Sequence, residues 1–209
     1  MKEKRQKPIA VCVFLVLLCS LVACSQKEAR LSQLPPGAVV LAFGDSLTFG
    51  TGAPAGQSYP EVLEKLIKIK VINSGVPGET SEQGMARLPQ VLAGSRPNLV
   101  ILCHGGNDIL RKLDPEKTAA NLAEMIRAAR KQRAEVVLIG VPKPGLFPET
   151  AGFYRTVARK MDVPVEEEVV LGILKDGALK SDHIHPNAAG YARMASAVEK
   201  LLKKSGAVQ

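Results

Sequence analysis

The sequence predicts an α/β domain in which helices cover both faces of a parallel sheet. Short runs of apolar residues alternate with longer stretches in which apolar residues recur at helical spacing. This alternation is typical of strand–helix–strand units, whose crossovers make neighbouring strands parallel. The chain has 209 residues. Once a leader is removed, about 186 residues remain, which suits a single domain.

Five apolar runs are predicted to form the strands. The run from Val39 to Phe43 is followed by Gly44, which indicates a strand buried on both faces. In the last run Pro164 has no amide hydrogen, which favours the edge of the sheet. The four later runs are Lys70–Ile72, Leu99–Cys103, Val136–Ile139 and Val163–Val165.

Five stretches are predicted to form helices that bury one apolar face. The second begins with a capping box from Thr80 to Gln83. The third begins with Asp114 as its cap and Pro115 as its first residue. We assign the apolar stripes of these helices to the core and not to a cofactor site. The other three helices are predicted to begin at Pro60, Gly152 and Pro186.

The first 23 residues have the composition of a secretory leader. Basic residues precede an apolar run from Ile9 to Val22, which is too short to span a bilayer comfortably. The run ends in LVAC at residues 21–24, which resembles the lipobox of bacterial lipoproteins. In that class the cysteine is diacylated and its freed amine is acylated, so the resemblance implies lipid at Cys24. An ordinary signal peptide and an uncleaved anchor are the alternatives.

These features divide the chain into a signal peptide (residues 1–23), a lipid-anchored tether (24–37) and a folded domain (38–205). Two or more acyl chains, at about 0.8 kcal/mol per buried methylene, would hold the protein on a membrane. Ser25 follows Cys24 in place of the acidic residue linked to inner-membrane retention. We therefore expect the periplasmic face of the outer membrane if the source is Gram-negative.

The charge of the chain is moderately positive. Its 28 Lys and Arg and 20 Asp and Glu give a net charge of +8. The leader holds four of the bases and one acid, so the mature chain carries about +5. The excess is scattered along the sequence, so it suits an anionic membrane surface or anionic substrates and does not indicate a nucleic-acid site. Plain surface charge is the alternative.

The cysteines predict neither a disulfide nor a zinc site. Cys12 and Cys19 lie in the leader, and Cys24 is assigned to lipid. Cys103 lies in an apolar run and is predicted to be a buried thiol.

A serine lies just beyond the first predicted strand, in GDSL at residues 44–47. In open α/β sheets ligands bind outside the carboxyl ends of the strands, which is where Ser46 is expected. A serine hydroxyl is a good nucleophile only with a base within hydrogen-bond reach. A turn serine or a helix N-cap is the alternative role for Ser46.

A histidine and a carboxylate near the end of the domain supply the missing partners. Asp182 precedes His185 by three residues, so a turn can direct the carboxylate at one ring nitrogen while the other faces Ser46. The carboxylate would then fix the tautomer and stabilise the imidazolium. His183 is a rival base, whose side chain should point away from that of His185. A helix-start cluster with Asp182 as the cap is the alternative.

Two further segments offer hydrogen-bond donors for a developing negative charge. Asn107 follows the third predicted strand after two glycines, which permit a tight turn and the close approach of a ligand. Gly78 lies just before a predicted helix, whose N-terminus favours negative charge near the Gly78 N–H. Ordinary turn residues are the alternative for both positions.

These segments together resemble the SGNH (GDSL) hydrolases, and within them the bacterial thioesterase I/lysophospholipase L1/arylesterase-like group. The resemblance extends from about Val39 to about Leu202. It implies a three-layer α/β/α sandwich with a five-stranded, flavodoxin-like parallel sheet, and an enzyme that needs no metal or organic cofactor. The four blocks that carry the resemblance are GDSL (44–47), PGETS (77–81), GGND (105–108) and DHIHPN (182–187).

The resemblance also implies a role for each residue of these blocks. Ser46 corresponds to the nucleophile, and Asp182 and His185 correspond to the other two members of the triad. The oxyanion donors correspond to the backbone N–H of Ser46, the backbone N–H of Gly78 and the side-chain amide of Asn107.

Two residues depart from the family pattern. His104 stands where an apolar or acidic residue is usual, and we expect it to be a neighbour of the pocket without a role in the reaction. His183 stands where a small residue is common, which leaves it as a competing base.

The expected activity is hydrolysis of esters or thioesters by a monomer without a nucleic-acid partner. Membrane attachment favours a lysophospholipid or a short-to-medium acyl ester as the substrate. An envelope carbohydrate O-acetylesterase and a non-catalytic lipoprotein binding module are the alternatives. The loops 105–116 and 141–155 are expected to shape the acyl pocket with Leu110, Leu113, Leu146 and Phe147.

Overall fold

The computed structural model describes residues 29–146 and 148–209, so Cys24, the leader and Phe147 lie outside the described residues. Five strands form one parallel sheet in the order β2-β1-β3-β4-β7. Two more, β5 and β6, form a small antiparallel hairpin. The strands are β1 (Val39–Gly44), β2 (Lys70–Gly75), β3 (Leu99–Cys103), β4 (Glu135–Ile139), β5 (Pro142–Lys143), β6 (Glu149–Thr150) and β7 (Val165–Glu166).

Helices cover both faces of this sheet. The helix α2 packs on α8 in one layer, and α3 and α6 pack on α5 in the other. The predicted three-layer sandwich with a five-stranded parallel sheet is confirmed. The helices of the described residues are α1 (Ser46–Phe49), α2 (Tyr59–Ile67), α3 (Ser81–Ser95), α4 (Gly106–Leu110), α5 (Pro115–Lys131), α6 (Phe153–Met161), α7 (Val169–Lys175) and α8 (Ala188–Ser205).

The core lies on both sides of the central strands. In β1 the residues from Val40 to Gly44 are all buried, and β3 is buried along its whole length. This burial agrees with the continuous apolar runs of these two strands. Cys103, at the end of β3, is a free and fully buried thiol. Burial raises its pKa well above the usual range, so the thiol stays protonated.

The helix starts follow the predicted caps. Thr80 caps α3 as part of a capping box with Gln83, and Asp114 accepts a hydrogen bond from the Glu116 N–H at the start of α5. The last helix begins two residues later than predicted, because Asn187 is its cap. The strand β7 lies at the sheet edge, as Pro164 predicts.

Several short elements were not predicted. The helices α1, α4 and α7 have four, five and seven residues. Two turns of helix or fewer show too little periodicity to be detected in a sequence. The two-residue strands β5 and β6 are likewise too short to show alternation.

Part of the predicted tether is bound to the domain. The N–H groups of Leu31 and Leu34 donate to the carbonyls of Ser205 and Ala207, at 2.9 Å each. The chain therefore enters the domain alongside the C-terminus of α8. No helix among the described residues has both the length and the hydropathy needed to cross a bilayer.

Candidate active site

The register of the sheet aligns the ends of three strands. Gly44 of β1 pairs with Gly75 of β2 on one side and with Cys103 of β3 on the other. The segments that follow these strands therefore leave the sheet side by side at its carboxyl edge. They carry Ser46 and Asn107, as well as Gly78.

A serine, a histidine and an aspartate are connected at this edge. Nε2 of His185 lies 3.1 Å from Oγ of Ser46, and Nδ1 of His185 lies 2.7 Å from Oδ2 of Asp182. The two ends of this relay are 136 positions apart in the chain, between Ser46 and Asp182. The geometry is that of a nucleophile, a base and a group that orients the base.

The Asp182 carboxylate is held by its own loop. Its Oδ1 accepts hydrogen bonds from the N–H groups of Ile184 and His185, both at 2.8 Å. Partial burial raises the pKa of Asp182, but the hydrogen bonds from the His185 ring and from these two amides outweigh it and lower the pKa to about 2. Asp182 is therefore an anion across the physiological pH range.

Gly44, two residues before Ser46, lies where close packing leaves no space for a Cβ atom. A Cβ on Gly44 would overlap the Thr48 hydroxyl and the carbonyl oxygen of Cys103. Asp45 then caps α1 by accepting a hydrogen bond from the Leu47 N–H at 3.0 Å. Burial raises the pKa of the Asp45 carboxyl above its usual value. The GDS sequence thus starts a one-turn helix that places Ser46 at its first position.

The loop that contains Gly78 is held by two side chains, Asn107 of the GGND block and Arg111 just after α4. Gly78 has a φ of +78°, which is costly for residues with a Cβ. Arg111 donates to the Gly78 carbonyl at 2.9 Å, and Nδ2 of Asn107 donates to the Glu79 carbonyl at 3.0 Å. The same amide nitrogen lies 3.4 Å from Oδ2 of Asp45. Asn107 therefore connects the segments that follow β1, β2 and β3.

A cavity of about 250 Å³ opens beside the serine. Its wall includes Ser46, Asn107 and both His183 and His185, but not Gly78. Leu110 lines this cavity, as predicted. Leu113 and Leu146, which were also predicted to form it, do not line it and are exposed at the surface. The remaining apolar wall comes mainly from the hairpin, α7 and the histidine loop, and its residues are Val141, Pro142, Leu171, Leu174 and Ile184.

A family model of GDSL-like lipases and acylhydrolases matches residues 42–193. The chain belongs to the GDSL-like Lipase/Acylhydrolase family. It is an ester hydrolase of this family, as the four sequence blocks predict.

Curated relatives and solved structures agree with the family assignment. Esterase TesA of Pseudomonas aeruginosa is 32% identical over 186 residues, 83% of this chain and 92% of the relative. Thioesterase 1/protease 1/lysophospholipase L1 of Escherichia coli K12 is 31% identical over 175 residues, 78% of this chain and 83% of the relative. The crystal structure of TesA matches with a TM-score of 0.72 and 30% identity over 80% of this chain and 99% of that one. The crystal structure of the esterase AlinE4 matches with a TM-score of 0.64 and 31% identity over 83% of this chain and 98% of that one.

In this GDSL hydrolase an ion pair supports the Gly78 loop from behind. The Glu79 carboxylate is almost fully buried and accepts two hydrogen bonds of 2.7 Å from Arg87. Arg87 also donates to the Ser74 hydroxyl at the end of β2 and lies over the Phe43 ring, 4.2 Å from its centroid. Sequence reasoning missed Glu79, Arg87 and Arg111, because their roles come from contacts that a linear pattern does not show.

His104 and His183, the two histidines that depart from the family pattern, lie in different parts of the structure. His104 is fully buried, with Nε2 3.2 Å from Oε2 of Glu79 and its ring centroid 5.2 Å from that of Phe43. It lies behind the Gly78 loop and not in the cavity wall. His183 is exposed and lines the cavity, but the ring nitrogen next to the Ser46 hydroxyl belongs to His185. Of the two rival bases, the geometry favours His185.

Another buried carboxylate holds the GGND segment in place. Asp108 accepts hydrogen bonds from the Ser81 N–H at 2.8 Å and from the Ser81 and Thr118 hydroxyls at 2.5 and 3.2 Å. These bonds tie α4 to the starts of α3 and α5. Within residues 29–146 and 148–209 there is no group of three or more His, Cys, Asp or Glu side chains able to hold a metal ion.

We expect the Glu79–Arg87 pair to make folding acid-sensitive. Burial raises the pKa of Glu79, but the bonds from Arg87 and the nearby His104 outweigh this and lower it from 4.5 to about 2. A carboxyl whose pKa is lowered by folding stabilises the protein above its unfolded pKa, and this stability is lost as the pH falls from about 4.5 to about 2. The contribution is at most about 3 kcal/mol.

The variant Glu79→Gln tests this expectation by denaturant unfolding at pH 7, 4.5 and 3. It should lower the free energy of unfolding at pH 7 and lose less of it than the wild type on acidification. Glu82→Gln, an exposed position in the first turn of α3, is the matched control and should follow the wild type. Equal acid dependence of Glu79→Gln and wild type would contradict the assignment.

Proposed function

We propose that this GDSL hydrolase cleaves carboxylic esters and thioesters through a triad of Ser46, His185 and Asp182. The observation that carries the proposal is the continuous chain of contacts from the Ser46 hydroxyl through the His185 ring to the Asp182 carboxylate. An ionised Asp182 bonded to Nδ1 leaves Nε2 of His185 free to accept the hydroxyl proton.

The reaction then takes two acyl-transfer steps. Oγ of Ser46 attacks the carbonyl carbon while Nε2 of His185 takes its proton. The tetrahedral intermediate collapses, and His185 returns the proton to the departing alcohol or thiol. A water molecule then attacks the acyl-enzyme with His185 as the base, which releases the acid and restores Ser46.

The oxyanion is proposed to be held by the N–H groups of Ser46 and Gly78 and by the Asn107 amide. One amide hydrogen of Asn107 is used by the Glu79 carbonyl. The other faces Asp45 at 3.4 Å, a long contact that a developing oxyanion can replace. The Arg111 and Arg87 contacts hold the Gly78 loop in position for this interaction.

The apolar wall of the cavity favours an acyl chain as the group that fills it. Leu110, Leu171, Leu174 and Ile184 line it, and burial of each methylene contributes about 0.8 kcal/mol. A thioester, a lysophospholipid or another ester with a short-to-medium chain fits this surface. An acetyl group on a carbohydrate would leave most of the wall without contacts.

The test compares two nearby leucines that are equally exposed, of which one lines the cavity and the other does not. Leu110 and Leu113 are both 45% exposed, but only Leu110 lines the cavity. We expect Leu110→Trp to lower kcat/KM for p-nitrophenyl octanoate about tenfold or more, the equivalent of about two methylene contacts, and to leave the acetate ester nearly unaffected. Leu113→Trp, the control, should leave both esters unaffected.

A fluorophosphonate reagent checks the nucleophile in the same samples. Oγ of Ser46 should displace fluoride and form a bond to phosphorus, and Ser46→Ala should not be labelled. A purely binding lipoprotein would show no labelling at all. Faster release of acetate from glycans than of any longer acyl group would instead favour the carbohydrate O-acetylesterase.

We also propose that Cys24 carries lipid and holds the enzyme in the cell envelope. The order of basic residues, apolar run and LVAC in the leader supports this. In a Gram-negative source, Ser25 after the cysteine favours the periplasmic face of the outer membrane.

A further inference from the structure

Positive charge is concentrated at the amino edge of the sheet, opposite the active site. Five helices, α2, α3, α5, α6 and α8, run from the carboxyl edge back to this edge and end there. Their last turns, the residues after them, the start of β2 and the N-terminal segment carry twelve exposed bases, which we call the basic edge. These are Arg30, Lys65, Lys68, Lys70, Arg96, Arg130, Lys131, Arg133, Arg159, Lys160, Lys203 and Lys204.

Few acids offset this charge among the described residues. Glu64, Glu135 and Asp162 lie at the same edge, and Glu199 forms an ion pair with Lys203, so twelve bases less four acids give about +8. The mature chain carries about +5, so all the rest of it, the active-site edge included, carries about −3. The charge that is scattered in the sequence is therefore strongly polarised in the fold.

Helix dipoles explain only part of this distribution. Cations are favoured near helix C-termini, but the effect is confined to the last turn. Arg96, Arg133, Lys70 and Arg30 lie outside the helices and add to the same surface.

The chain enters the domain at this edge. Ala29, the first described residue, lines a cavity of about 510 Å³ together with Arg159, Asp162 and Lys204. Arg30 donates to the Lys204 carbonyl at 3.0 Å. Cys24 precedes Ala29 by five residues, which span at most about 18 Å when fully extended. A lipid on Cys24 therefore brings the basic edge to the bilayer, and not the edge that carries Ser46.

We propose that the basic edge is the surface with which the anchored protein lies on anionic phospholipid headgroups. The proposal rests on lipidation of Cys24, as proposed above. Cations within about one Debye length of an anionic bilayer, 8 Å at physiological salt, are attracted to it. The six residues of β1, at about 3.3 Å each, then separate the active site from the membrane by about 20 Å. Substrates would reach Ser46 from the aqueous side and not from the leaflet that holds the anchor.

Resonance energy transfer from the active site to the membrane tests this orientation. The full lipidated protein is labelled at Ser46 with a fluorescent fluorophosphonate and bound to vesicles that carry an acceptor on some headgroups. We expect transfer to be about twofold or more lower on vesicles with about 30% phosphatidylglycerol than on pure phosphatidylcholine, and this difference to vanish in about 0.5 M NaCl.

Charge reversal near the ends of three helices, α5, α6 and α8, supplies two matched pairs of variants. Lys131→Glu with Lys160→Glu removes charge from the basic edge, and we expect transfer on anionic vesicles to rise to its value on neutral ones. Lys117→Glu with Arg193→Glu makes the same change of charge away from that edge and should leave transfer as in the wild type.

The outcomes distinguish this inference from the two proposals on which its test depends, the Ser46 nucleophile and the lipid on Cys24. Absence of labelling at Ser46 overturns the nucleophile assignment. Retention of Cys24→Ser on neutral vesicles to the same degree as the wild type overturns the lipid anchor, and with it the orientation. A labelled, lipid-bound protein with equal transfer on both kinds of vesicle, or equal effects of the two variant pairs, overturns the basic edge as the membrane surface.

Discussion

Ser46→Ala is expected to lower kcat for ester hydrolysis by about 10⁶-fold, the loss seen when the nucleophile of a serine hydrolase triad is removed. The hydroxyl supplies the attacking oxygen, and no other group in the cavity wall is positioned to take its place. Its neighbour in the relay is the His185 ring at 3.1 Å, and loss of this hydrogen bond changes the free energy of unfolding by about 1 kcal/mol. The variant should therefore remain folded.

The measurement is the rate of p-nitrophenyl butyrate hydrolysis, alongside a thermal unfolding curve. Ser95→Ala is the control, because it removes a hydroxyl bonded to the Val91 carbonyl at the far end of α3. It should keep the wild-type rate. A folded Ser46→Ala protein with more than a small fraction of wild-type activity would rule out Ser46 as the nucleophile.

Asn107→Ala is expected to lower kcat by about 10²–10³-fold with little change in KM. The reason is that the amide is proposed to bind the oxyanion, which exists only in the transition state and the intermediate, and one such donor has an effect of this size. The variant also loses the hydrogen bond to the Glu79 carbonyl, so we expect a decrease in stability of about 1 kcal/mol.

Asn121→Ala separates these two effects. Asn121 donates an amide hydrogen bond of 2.9 Å to the Ser81 hydroxyl, so its loss removes a similar bond close to the site. We expect this control to lose stability and keep kcat. If Asn107→Ala shows the same small change in rate as Asn121→Ala, Asn107 is not an oxyanion donor.

The sheet could be predicted because its strands are encoded locally. Val39–Phe43 and Leu99–Cys103 are continuous apolar runs of strand length, which is the pattern of strands buried on both faces. The capping box at Thr80 depends on residues three positions apart, so it was also visible. The hairpin of β5 and β6 and the helix α7 were not, because two to seven residues contain too few repeats.

The candidate site was predicted in part. Each of Ser46, Asn107 and His185 follows a strand or precedes a helix in a short motif, and parallel topology brings such positions to one edge. The contacts that hold these residues and the Gly78 loop in place could not be predicted from short motifs. Arg87 reaches Glu79 across 8 positions and Arg111 reaches Gly78 across 33, and no short pattern carries contacts of that range.

By itself, then, the sequence determined the fold class, the family and the candidate residues for the chemistry, because these depend on local patterns of polarity and on a few motifs. The tertiary structure decided which histidine faces Ser46, which leucine lines the cavity and where the positive charge collects. These properties depend on distances between segments that only packing brings together. The twelve bases of the basic edge are the clearest case, since they are dispersed along the chain and share one surface only because five helices end there.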